Sequence, residues 1–177
     1  CSSFQFLREI VKKFNNLIVS TGATYNDEIY KAAKILKKKN FSFLHCVTIY
    51  PTPLNDINLN RMIFLKKFTK EVGYSDHAVA NDKNLIAIKL AILMGAKIIE
   101  KHFTILDSNK TRDGIVSMNP NQLYQISEFS KLNNINISSN NLANFFALYS
   151  LQAHTVGATI CITFLLYFFF LILLTKG

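Results

Sequence analysis

The sequence predicts an α/β fold built on a parallel sheet, and three observations carry that expectation. Short apolar runs alternate with helix-like stripes four times between residues 17 and 132. The runs start roughly 25–30 residues apart, the size of a strand–helix–strand unit. The polar residues with chemical potential gather at or just beyond the C-terminal ends of the runs: Ser20, His45, Thr48, Ser75, His77, Lys101 and His102. In parallel sheets, open or closed, that is the edge where ligands bind. Four units cannot close an eight-stranded barrel, so the expectation is an open sheet or half of a larger ring.

Each element has its own signal. "FQFLREIVKKF" at 4–14 places Phe4, Leu7, Ile10, Val11 and Phe14 at helical spacing. "LIVS" at 17–20 is short, apolar and rich in branched residues, and predicts a buried strand ending in a tight turn at Thr21 and Gly22. Thr24 and Asp27 have capping-box spacing ahead of a stripe of Ile29, Ala32, Ala33 and Leu36. Acidic Asp27 and Glu28 at the start of that helix, and Lys37, Lys38 and Lys39 at its end, both suit its dipole. The cycle then repeats. "FSFLHCV" at 41–47 reads as a strand, the stretch with Pro51 and Pro53 as a stiff loop, and 58–70 as a helix carrying Leu59, Met62, Ile63 and Phe68. "VGYS" at 72–75 is a brief strand, 83–94 a strongly apolar helix closed by Gly95, and "KIIEKHF" at 97–103 the last strand. After a polar loop, Pro120 sits near the start of a final helix that runs to Leu132.

Composition narrows the function classes. A chain that is 50% hydrophobic and 18% charged has the means for a real core, which excludes general disorder. The net charge of +9 raises three partners: an anionic ligand, a nucleic acid or an acidic surface. The lysines are dispersed on helical faces, however, and their one run lies where a helix ends, so no nucleic-acid partner is expected. Cys1, Cys46 and Cys161 show no CxxC pairing, which argues against a zinc site or a disulfide framework and suits a reducing compartment. The chain opens on Cys1 without a secretory signal and is expected to be a fragment. After Lys131 no Asp, Glu, Lys or Arg appears until Lys176. Residues 156–174 are overwhelmingly apolar and, at about 1.5 Å per residue, long enough for a helix to cross a bilayer. The expected organisation is therefore a domain over 1–132, then a polar linker and hydrophobic tail over 133–177, through which a membrane contact is open.

The constellations each carry two readings. His77 and His102 at equivalent strand ends are either packed histidines with one hydrogen bond each or a pair of ligands for a divalent metal. Asp76 and Glu100 would then be further ligands or partners that orient the imidazoles. A thiol–base pair of Cys46 with His45 is disfavoured, because adjacent strand residues point to opposite faces. The stretch "YPTP" at 50–53 is a rigid loop, or a rigid loop that fixes Tyr50 and Thr48 against a ligand. Ser20 and Ser75 fit turns, and equally fit a phosphate or carboxylate. "RDG" at 112–114 is a turn, or a loop presenting Asp113 to a sugar hydroxyl.

Taken in order, "LIVSTGAT", "LHCVTIYPTP", "GYSDH", "GAKIIEKHFT" and "DGIVSMNPNQL" resemble the sialic acid synthase (N-acetylneuraminate synthase) family over about residues 4–132. The resemblance implies a (β/α)8 TIM barrel followed by a small antifreeze-protein-like domain, a swapped homodimer and a cytoplasmic enzyme. This chain would hold barrel strands five to eight with their helices, preceded by the helix after strand four. The reaction implied is condensation of phosphoenolpyruvate with N-acetylmannosamine, or a related 2-acetamido sugar, with release of phosphate. His77 and His102 match the family's metal ligands, for Mn2+ or another divalent ion. Ser20 and Ser75 match serines that contact phosphoenolpyruvate, and Thr48 stands where the family often has Asn or Ser. Tyr50 and Asp113 match residues of the sugar site and are the candidates for catalysis. The main phosphate-binding lysine, a further serine and an acidic sugar contact would lie in the half not represented, so the expectation is an inactive fragment. Pseudaminate and legionaminate synthases are alternatives within the family. A membrane-anchored non-catalytic remnant and a pyruvate-using metal aldolase are alternatives outside that reading. The uncharged tail departs from the family pattern and is expected to be a gene-model artefact or the end of a truncated copy.

Overall fold

The computed structural model describes residues 1–80 and 85–133, and the chain through Asn133 forms one compact unit. Helix α1 (Phe4–Lys13) buries Leu7 and leads into strand β1 (Asn16–Ser20). The predicted turn follows, and Gly22 is needed there. A Cβ at that position would lie 2.7 Å from Thr48 Cγ2 and 3.0 Å from Cys46 Sγ. Helix α2 (Asn26–Leu36) buries Ile29, Ala32 and Leu36, and the three lysines sit just past its end.

The capping box is displaced by one residue from Thr24 and Asp27. The Tyr25 amide donates to Glu28 Oε2 at 2.8 Å, Thr24 turns its hydroxyl back to the Gly22 carbonyl, and Asp27 pairs with Lys31. The cause is the helix start at Asn26, which puts the reach-back position on Glu28.

Strand β2 (Asn40–Cys46) comes next, then a 3₁₀ turn at Leu54–Asp56 and helix α3 (Arg61–Leu65). The helix predicted over 58–70 is thus cut to five residues. Asn58 adopts a positive φ of 43°, which no helix interior accommodates. At the other end Thr69 donates its hydroxyl to the Phe41 and Glu71 carbonyls, drawing the chain toward the sheet. Strand β3 (Val72–Asp76) is buried along its whole length. Helix α4 (Ile86–Leu93) is followed by Gly95 at φ +88°, as a glycine stop requires. Strand β4 (Ile98–Lys101) and helix α5 (Pro120–Asn133) complete the described chain.

The sheet is parallel throughout, in the order β1-β2-β3-β4. Alternation along each strand gives the sheet two distinct faces. Val19, Phe43, Val72 and Tyr74 point to one face, where they form a core with Ile29 and Leu36 of α2 and Met62 and Leu65 of α3. Ile18, Ser20, Cys46, Ser75 and Glu100 belong to the other face, by their register. The prediction of a buried strand at 17–20 is corrected here. Ile18 is 61% exposed and Ser20 is exposed, because β1 ends the strand order and helical packing covers only its Leu17 and Val19 side. At mid-sheet the second face is tight, since a Cβ on Gly73 would collide with the Leu44 side chain and the Ile98 carbonyl.

No helix among the described residues is long and apolar enough to cross a membrane. The hydrophobic segment 156–174, and the linker beyond Asn133, lie outside the described residues.

Candidate active site

His77 is the first residue past β3, and His102 the first past β4. Their rings are 5.7 Å apart between centroids, inclined at 59°. They share a cavity of about 250 Å³ with Ser75, Glu100 and Lys101. Two adjacent parallel strands thus deliver two imidazoles to one space, as their equivalent positions in the sequence implied.

The state of His77 follows from its partners. Its Nδ1 lies 2.8 Å from the Val47 carbonyl. A carbonyl only accepts, so Nδ1 donates there, and in the neutral ring Nε2 keeps a lone pair. That lone pair accepts the Tyr50 hydroxyl at 2.5 Å. The Tyr50 ring also stacks on His77 at 3.9 Å and meets His102 edge-on at 5.7 Å. Burial raises the Tyr50 phenol above its ordinary pKa, and the nearby Cys46, Asp113 and Glu100 add to this, so it remains a neutral donor. The loop that carries it is tied down as its prolines predict. Tyr50–Pro51 is a cis peptide, the Thr52 amide donates to the His77 carbonyl at 2.8 Å, and the Thr52 hydroxyl donates to the Ile49 carbonyl at 2.6 Å.

His102 is more open. Its Nδ1 is 4.0 Å from Asp113 Oδ2, and its carbonyl accepts the Met118 amide at 2.7 Å. Asp113 therefore stands beside His102, half exposed. Ser75 donates its hydroxyl to Glu100 Oε1 at 2.6 Å across paired strands.

Of the predicted site residues, Ser75, His77, His102 and Tyr50 come together, with Asp113 beside them. Ser20 and Thr48 lie on the same C-terminal edge but at β1 and β2, and neither lines this cavity. Three expectations need correction. Asp76 is not available as a ligand or as a partner for either imidazole. It points to the helix-covered face, where Lys101, the Tyr74 hydroxyl and the Ala78 amide occupy both carboxylate oxygens. Lys101 is consumed by the same contacts, despite its place at a strand end. His45 also faces the helices, with Nε2 2.6 Å from the Ile57 carbonyl, and burial holds its pKa below the usual histidine value. Cys46 is half-buried, with its thiol 3.8 Å from His77 Nδ1. Alternation along the strand could have identified the first two errors from the sequence. The sequence reading missed the Val47 carbonyl, whose role depends on the chain path after β2.

The metal implied by the resemblance fits this donor set in part. A neutral imidazole with its tautomer fixed by a backbone carbonyl is a good donor for Mn, Fe or Zn ions, and a second imidazole lies beside it. No group of three or more His, Cys, Asp or Glu side chains that could hold a metal occurs among the described residues. His77 and His102 are therefore suited as two members of a larger ligand set.

Comparison with known proteins supplies the wider frame. The NeuB family profile matches residues 1–141. Over 128 residues the chain is 38% identical to the N,N'-diacetyllegionaminic acid synthase of Campylobacter jejuni, covering 69% of this chain and 37% of that one. It is also 38% identical over 117 residues to the pseudaminic acid synthase of the same species, covering 64% and 33%. The crystal structure of N-acetylneuraminic acid (sialic acid) synthetase from Leptospira borgpetersenii, in complex with citrate, superposes with a TM-score of 0.65 at 28% identity. That alignment covers 84% of this chain and 54% of that one. The chain spans about a third of the length of the curated relatives it matches. The described strands correspond to part of a barrel, an α/β sheet curled through about half a ring.

Proposed function

The chain belongs to the NeuB family, and from that premise we propose that it carries one half of a nonulosonate synthase site. The reaction is condensation of phosphoenolpyruvate with N-acetylmannosamine or another 2-acetamido sugar. The observation that carries this reading is the meeting of His77, His102 and Ser75 around one cavity at the strand ends, with Tyr50 packed against both imidazoles. A new bond joins carbon 3 of phosphoenolpyruvate to the sugar's carbonyl carbon, water adds at carbon 2, and phosphate leaves by C–O cleavage.

The residues present have distinct parts in this reading. His77 and His102 hold a divalent metal, Mn2+ or a similar ion, which when bound supplies Lewis-acid polarisation of the sugar carbonyl. Ser75, whose hydroxyl is now given to Glu100, can turn it toward the phosphate or carboxylate of phosphoenolpyruvate. Ser20 and Thr48 offer further hydroxyls along the same edge. Tyr50 donates to, and Asp113 accepts from, hydroxyls of the open-chain sugar. Among the described residues that line the cavity, Lys101 is the one cation, and its ammonium is already taken by Asp76 and Ala78. The phosphate must therefore draw its positive charge from residues other than those that line this cavity. A homodimer with partner-subunit contacts, as the family resemblance implies, belongs to the same proposal.

The experiment joins this chain to the N-terminal barrel half of the Leptospira synthetase. Phosphate release is then measured with phosphoenolpyruvate, N-acetylmannosamine and Mn2+. Release above a no-protein blank is expected, falling at least about tenfold in His77→Ala, while the 177-residue chain alone matches the blank. A joined, folded protein at the blank rate, or a His77→Ala variant at the full rate, overturns the reading.

A further inference from the structure

The ladder between β3 and β4 ends at the pair Asp76–Lys101. His77 and His102 each come one residue later, beyond the last backbone pairing of these strands. The Thr52 amide ties the His77 carbonyl to the loop after β2, and the Met118 amide ties the His102 carbonyl to the segment before α5, so neither contact joins the two histidines to each other. The Ser75–Glu100 bond links the strands one residue earlier, within the ladder. Tyr50 touches both rings from the loop after β2, and the Ala80 amide reaches the Ile115 carbonyl farther out. A tie between the two strand ends themselves is a further constraint on the imidazoles.

On the helix-covered face, directly behind the histidines, Lys101 Nζ donates to Asp76 Oδ2 at 2.7 Å and to the Ala78 carbonyl at 2.6 Å. Asp76 Oδ1 accepts the Tyr74 hydroxyl at 2.9 Å and the Ala78 amide at 3.1 Å. The lysine and aspartate side chains are only 1% and 3% exposed. His77 is thus bracketed by residues 76 and 78, both bound to one ammonium, and that ammonium belongs to the residue before His102. Desolvating such a pair is costly, and well-packed apolar residues often serve stability as well or better. The other Lys–Asp and Lys–Glu bridges among the described residues are exposed and three or four residues apart in sequence. Stability alone therefore gives little reason for a buried pair at this spot.

We propose that Asp76 and Lys101 are positioning residues: their buried pair clamps the ends of β3 and β4 and sets the separation of His77 and His102 for a shared divalent ion. The proposal rests on the reading of the two histidines as metal ligands. Strand alternation explains the arrangement, because residues 76 and 101 turn inward to the helices while 77 and 102 turn to the cavity.

The test is an NMR titration of the full chain with Mn2+, following paramagnetic broadening of the two imidazole ring signals. In the unaltered chain both rings should broaden together. Lys101→Met should raise the Mn2+ concentration required at least about tenfold, the loss expected when an orienting partner is removed. The double variant Asp76→Asn with Lys101→Met removes the clamp without leaving a buried unpaired charge, and should show the same loss in a folded chain. Lys101→Arg, which can still donate to Asp76 and Ala78, should recover much of it. Leu36→Ala, which weakens the core far from the strand ends, should leave the titration unchanged. Broadening in the double variant at the original Mn2+ concentration, with His77→Ala losing it, overturns the clamp and leaves the metal reading standing. Rings in the unaltered chain that ignore Mn2+ overturn both.

Discussion

The two faces of one sheet make the instructive comparison here. On the helix-covered face, Phe43, Val72 and Tyr74 are buried among apolar side chains from α2 and α3. On the other face, the same strands carry Ser20, Cys46, Ser75 and Glu100, and lead into the two histidines. Residues one position apart thus live in different chemical worlds. Asp76 and His77 are neighbours, yet one is locked to a lysine behind the sheet and the other looks into the cavity. Stability should depend chiefly on one parity of residues, and ligand binding on the other.

Variants can break or sharpen that division. The largest effect belongs to the covered face. Phe43→Ala should cost about 3–5 kcal/mol in chemical denaturation and leave the Mn2+ response of any remaining folded chain unchanged. Gly73→Ala should cost about 1–3 kcal/mol, read as a lowered melting temperature, because the added methyl meets the Ile98 carbonyl. A neutral result would mean that the second face is looser at its centre than the strand spacing indicates. His77→Ala should lower Mn2+ affinity at least about tenfold, or roughly 1.4 kcal/mol, in calorimetry of the joined protein. Unchanged affinity would make His77 an ordinary packed histidine and erase the chemical half of the comparison.

The smallest effect is one of pH, on the covered face. Burial lowers the pKa of His45 below the ordinary histidine value of about 6.5, so the unfolded chain takes up this proton first as pH falls. The stability contributed by neutral His45 is thus complete above about pH 6.5 and declines as pH drops from there toward the folded-state pKa. His45→Gln should flatten that part of a plot of melting temperature against pH. An unaltered slope would assign the acid sensitivity to other groups.

Much of this was legible in the sequence, and the failures have identifiable causes. The four strands, the lysine-ended helix and the glycine stop at Gly95 followed from periodicity and end signals. The placement of both histidines at strand ends also followed. The family motifs named Ser75, His77, His102 and Tyr50, which come together, as well as Ser20 and Thr48, which do not line the cavity. Asp76 was misjudged because the alternation rule that separated His45 from Cys46 was not carried to the next strand. The exposure of Ile18 lay beyond a local reading, since an apolar run does not say how many of its faces will be covered. The shortened helix at Arg61–Leu65 turns on the positive φ of Asn58, a tertiary choice that leaves the apolar stripe intact. The Val47 carbonyl has no side-chain signature at all.

The Tyr50–His77 contact has a consequence for how the site fills. Nε2 of a neutral imidazole has a single lone pair, and here the phenol already holds it. Any electrophile that takes this nitrogen must do so by exchange, with the Tyr50 hydroxyl leaving as it arrives. The departing hydroxyl is then free to donate elsewhere in the cavity. Occupation of the nitrogen and release of a hydrogen-bond donor into the cavity are then one event.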